Sequence, residues 1–177
     1  MRKRSSLFGL DTLKRDSDGA TAIEFAMVGP ILITMIFSIL ELSWLIIKIL
    51  MVDNAVEVAA KQIYIGNVPD RAAFESLICD KLPLFNNCLE IVNVEAIQIN
   101  GYNDIPQNEA ECRDKGEQNF TPTRTYTTGT SSAIMFLRVC VTASLITPGL
   151  GFGASLPQRD DGRFAVVSST VFVNEPF

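Results

Sequence analysis

The sequence predicts an α+β chain, with one long N-terminal helix packed on a small antiparallel β-sheet. Three observations carry that expectation. Residues 25–47 form an apolar run relieved only by Thr34, Ser38, Glu41 and Ser43. Directly beyond it, Ile49, Val52, Val56, Ala59 and Ile63 recur at spacings of three and four, the mark of an amphipathic helix. Nearer the C-terminus, residues 133–145 alternate in hydrophobicity, and a second β-rich segment occupies residues 163–173.

The first 19 residues are a short polar leader. They hold Arg2, Lys3, Arg4, Lys14 and Arg15, against Lys48 and Lys61 just beyond the apolar run. The positive-inside rule therefore places the N-terminus in the cytoplasm. The apolar run is 23 residues long. At about 1.5 Å per residue it would reach roughly 34 Å, enough to cross a bilayer core. An ordinary secretory signal has a shorter apolar region ending at small residues. Here the first small-residue cluster, Ala55, Ala59 and Ala60, comes only after Lys48 and Asp53.

The helix is expected to continue past the membrane to about residue 65, and so to occupy residues 20–65, with the transmembrane half at about 25–47. Asp53, Asn54, Glu57 and Lys61 take its polar face, and Glu57 and Lys61 form an i,i+4 pair in the favourable order. Gly66, Asn67 and Pro69 supply a stop. The domain beyond, residues 66–177, begins with a short helix from Asp70 to about Leu82, ended by Pro83. A strand is expected over 89–100, with a bulge because the alternation slips between Ile91 and Ile97. Residues 101–132 are polar, and a loop of that length is either functional or loosely ordered. The strands at 133–145 and 163–173 complete the sheet.

Charge and composition narrow the function. The net charge is −5 and the leader alone carries +2, so the remainder carries −7. That balance argues against nucleic acid as a partner. The absence of histidine removes His-based triads and His metal sites. Four cysteines, Cys79, Cys88, Cys112 and Cys140, all follow the apolar run, and none forms C-x-x-C. This pattern points to disulfides in an oxidising compartment. The expected pairs are Cys79–Cys88, across a turn at Pro83 and Asn86-Asn87, and Cys112–Cys140. In the second, Cys140 lies on the strand face opposite Met135, Leu137, Val139 and Val141. A partner on a covering loop suits it, and Cys112 is the one cysteine of the long polar loop.

The stretch Gly19-Ala20-Thr21-Ala22-Ile23-Glu24-Phe25-Ala26, followed by Pro30 and a long apolar helix, resembles the TadE-like minor pilins, or pseudopilins, of bacterial tight-adherence (Tad) pili. The ending Asn174-Glu175-Pro176-Phe177 after a strand is similar to the close of many TadE/TadG chains. The resemblance implies a pilin-like fold and a role in pilus assembly or priming without catalysis. It implies cleavage between Gly19 and Ala20 by a prepilin peptidase. The other implied partners are further Tad pilus subunits and minor pilins, an inner-membrane assembly platform, and the lipid bilayer. It also places the chain in a bacterial inner membrane as a single-pass protein with a periplasmic domain, or in the pilus itself. Residues 70–160 contribute nothing to the likeness.

Several residues admit more than one reading. Glu24 follows Thr21 at the spacing of a capping box, or it favours the positive end of the helix dipole. By resemblance it is instead the acid that neutralises a neighbouring subunit's freed N-terminal amine. Pro30 should kink the membrane helix or free a carbonyl. Thr34, Ser38, Glu41 and Lys48 share one helical stripe, which either faces protein or, for Glu41 and Lys48, snorkels to water at the outer boundary. Gly149, Gly151 and Gly153 fit a hairpin connection better than a phosphate loop, because no helix and no Lys-Ser/Thr follow. The sequon at Asn119 reads as chance composition. The acids and amides at 103–114 lack EF-hand spacing, so no cofactor or metal is expected. The rival functions are an uncleaved membrane-anchored envelope or adhesion protein and, less favoured, an anchored periplasmic enzyme, for which no motif nominates a nucleophile or base.

Overall fold

A computed structural model describes residues 18–67, 70–117, 120–122, 126–160 and 162–175. The leader up to residue 17, Pro69, Asn119 and the final Pro176-Phe177 lie outside the described residues. Helix α1 spans Asp18–Tyr64, α2 spans Arg71–Asp80 and a single turn, α3, spans Cys88–Ile91. The strands are β1 (Val92–Ile99), β2 (Ile134–Ser144) and β3 (Arg163–Val173). They form one antiparallel sheet in the order β1-β2-β3.

The lower half of α1 is a membrane-type helix with its apolar residues exposed, and the upper half is the lid of the domain core. Val52, Ala55, Val56, Ala59, Ala60 and Ile63 are buried, while Asp53, Asn54, Glu57 and Lys61 are exposed. Small side chains at 55, 59 and 60 let the helix lie close to the sheet. There it runs closest to β3, and its buried residues share one core with Val92, Val94 and Ala96 of β1 and Leu137, Val139 and Val141 of β2. Phe74 and Ile78 of α2 close the same core. The Asp70 carboxylate caps α2 by accepting from the Ala73 N–H at 2.8 Å.

Two local expectations are corrected. The first strand begins at Val92, not at Leu89, because residues 88–91 close a helical turn after Asn87, whose φ is +55°. β1 pairs residue for residue with β2 from Val92↔Val141 to Ile99↔Ile134, without a bulge. The phase slip stays in the side chains: Val92, Val94 and Ala96 join the core under α1, while Ile97 and Ile99 fall on the face of Asn93 and Glu95.

On the other face of the sheet Phe136, Arg138, Cys140 and Thr142 are all buried, under the covering loop that the expected Cys112–Cys140 pair called for. The polar segment after β1 lies across them. Arg138 donates to the Glu95 carboxylate at 2.6 and 3.0 Å and to the Asn108 carbonyl at 2.9 Å. Asn93 donates to the Glu111 carbonyl at 2.6 Å, and the Thr142 hydroxyl to the Arg113 carbonyl at 3.3 Å. Cys112 is bonded to Cys140, and Cys79 to Cys88. The segment is thus a second cover for the sheet, pinned by a buried ion pair and a disulfide.

Candidate functional site

The N-terminal turns of α1 carry the residues to which the sequence points. Gly19 is exposed, with no heavy atom of another element near the position a Cβ would take. Gly19 and Ala20 both lie within α1, so a protease acting there must first unwind the opening turn. Thr21 also lies inside the helix, which starts at Asp18; it is therefore not an N-cap, and the capping-box reading does not apply. Glu24 is exposed, between the exposed apolar residues Ile23 and Phe25. A carboxylate set among lipid-facing side chains is costly unless it finds a partner. At Pro30 the helix runs on without interruption, and the Thr34 hydroxyl donates to the Pro30 carbonyl at 2.7 Å.

The stripe further along α1 faces protein, and the protein is the chain's own β2–β3 connection. Glu41 is 1% exposed. Its carboxylate accepts from the Ile146 N–H at 3.0 Å, from the Thr147 N–H at 2.8 Å and from the Thr147 hydroxyl at 3.0 Å. Ser38 donates to the Thr34 carbonyl at 2.8 Å and accepts from the Phe152 N–H at 3.2 Å. Lys48 donates to the Ser144 carbonyl at 2.8 Å, with its ammonium 5.4 Å from the Trp44 ring centre and 5.7 Å from that of Phe85. Glu41 and Lys48 are thus each paired with loop backbone. Snorkelling to water is not what occupies them.

The glycines of that connection are explained by the same contact. Gly151 has φ +57°, and a Cβ there would collide with the Ser38 hydroxyl; a Cβ at Gly153 would collide with the Thr147 carbonyl. Gly149 has open space around it. Gly151→Ala is therefore expected to destabilise the domain by about 1–3 kcal/mol through backbone strain and lost contact. Gly149→Ala should be close to neutral, and thermal unfolding of the two variants in the same detergent checks the contrast.

Residues 19–61 match the family model described as TadE-like protein. Over that segment the chain is similar to TadE-like proteins. The match covers α1 almost entirely and stops before the sheet. No curated protein and no solved structure matches the chain.

Helix α1 is, among the described residues, the one helix long and apolar enough to cross a membrane. Among the described residues, no group of three or more acids and cysteines is placed to hold a metal ion. One further feature, beside β1, left no signal in the sequence. Tyr126 pairs beside Ala96 at the outer edge of β1 and stacks 6.0 Å from Phe74. Burial, with Asp70 nearby, pushes its phenol up to about 12. Its hydroxyl is buried without a hydrogen-bond partner. It is a packing residue by these contacts.

Proposed function

We propose that this chain is a minor pilin or pseudopilin that takes part in assembling or priming a Tad-type pilus, and that its work is assembly and not catalysis. The observation that carries the reading is the order Gly19, Ala20, Glu24 at the mouth of a lipid-length helix, within the TadE-like match. In this reading a prepilin peptidase cuts after Gly19 and frees the Ala20 amine. The processed chain stands in the inner membrane with its N-terminus cytoplasmic and its sheet domain in the periplasm. Other pilus subunits and an assembly platform then take it up.

The disulfides support a periplasmic domain: both belong to the part beyond the span, and an oxidising compartment would maintain them. The domain is also built on α1 itself, so a pull on the helix moves the whole domain. The test is surface piliation in cells lacking this chain, counted by electron microscopy. Pili should be lost, restored by the wild-type chain, and not restored by Gly19→Leu. Normal piliation without the chain would overturn the proposal.

A further inference from the structure

From the way the β2–β3 connection lies along α1, we infer that this loop is a second membrane contact, a foot that enters the outer lipid interface beside the span. The inference rests on the membrane-spanning reading of α1 and adds a site to it. From Leu145 to Gln158 the connection carries no charged residue. Its path follows the helix downward. Ser144 is bonded to Lys48, Ile146 and Thr147 to Glu41, and Phe152 to Ser38; Gly151 reaches the level of Thr34.

Depth then decides what surrounds it. A bilayer core of about 30 Å accommodates about 20 residues, so a span entered at Phe25, where the apolar run opens, leaves the core near Trp44. Glu41 then stands about 4.5 Å inside that boundary, and Ser38, which holds the loop tip, about 9 Å inside it. Elements that rest in an interface sink their apolar side chains about 5–10 Å into it. Ile146 is 57% exposed and Leu150 45% exposed, and on the turns of α1 around Glu41 the apolar Leu42 and Ile46 are exposed as well.

Irregular backbone is tolerated at such depth only where its polar groups are satisfied within the protein. Here the N–H groups of Ile146, Thr147 and Phe152 are taken up by Glu41 and Ser38. A loop made for water would not need a buried carboxylate to hold its N–H groups. Trp44, flanking Lys48 on the same helix, is the residue type that marks a membrane–water interface. Glu41 and Ser38 are positioning residues for the foot, and Ile146 and Leu150 are the lipid contacts.

The test uses the full chain in phosphatidylcholine vesicles, with Trp44→Phe so that a single reporter tryptophan is read. Leu150→Trp reports on the foot, Ile146→Trp repeats it at a second position, and Phe37→Trp reports on the span. Lipids brominated near the headgroup or deep in the acyl chains quench tryptophan at the matching depth. The foot predicts blue-shifted emission from Leu150→Trp and Ile146→Trp, quenched most by the shallow bromolipid, with Phe37→Trp quenched most by the deep one. Water-like, unquenched emission from both loop reporters, while Phe37→Trp is quenched, would overturn the foot and leave the span standing. Blue-shifted but unquenched emission that depends on protein concentration would also overturn it, in favour of a second copy covering the loop. An unquenched Phe37→Trp would remove the span, and the foot with it.

Discussion

Glu24→Ala should leave the chain inserted and processed but unable to support pili. The side chain is exposed on a stretch of α1 whose neighbours, Ile23 and Phe25, are also exposed, so its removal disturbs no core packing. What it removes is a carboxylate set where lipid or another helix must lie against it. On the proposed route, cleavage leaves an ammonium on Ala20, four residues before the acid. Neither charge is comfortable in hydrocarbon, and a neighbouring subunit offers each the opposite sign. The expected effect is loss of surface pili with unchanged membrane levels of the chain. Normal piliation by Glu24→Ala would return the residue to a role in the single helix.

Opening the Cys112–Cys140 bridge should have the largest effect on the domain. The bridge joins residues 28 apart. For a loop of that length the chain-entropy relation gives about 3–4 kcal/mol. It also holds the segment that covers Arg138, Glu95 and Thr142. Cys112→Ser combined with Cys140→Ala should lower the unfolding midpoint and raise proteolysis after β1. Hydrogen exchange should rise across residues 105–117 more than in α2. An unchanged midpoint and equal protection would mean that the Glu95–Arg138 pair and the Asn93–Glu111 bond hold the cover alone. The Cys79–Cys88 bridge closes a span of only 9 residues, so the corresponding double substitution there should cost less.

Local pattern made α1 and α2 legible, because a helix announces itself through residues three and four apart. The amphipathic half of α1 buries the stripe read from Val52 to Ile63, and Asp70 caps α2 as its side chain suggests. The sheet was harder. Residues 88–91 carry strand-like side chains but follow a left-handed Asn87, a backbone fact that composition does not reveal. The burial of Cys140 and Arg138 depends on a polar segment folding over them, which alternation along β2 cannot report. Least legible was the loop along α1. Glu41 meets residues more than 100 positions away. No periodicity within a window reaches that far. The traces in the sequence were the polar stripe of Thr34, Ser38, Glu41 and Lys48, which left the partner unnamed, and the glycine spacing at 149, 151 and 153, two of which sit where a Cβ would collide.

The central claim is that the chain is a processed pilus subunit and not a permanently anchored protein. Intact-mass and N-terminal sequence analysis of the wild-type chain, recovered from cells that carry their own prepilin peptidase, test it most directly. The mature chain should begin at Ala20 and be lighter than the 19.5 kDa precursor by the mass of residues 1–19. A recovered chain that still carries those residues would contradict it.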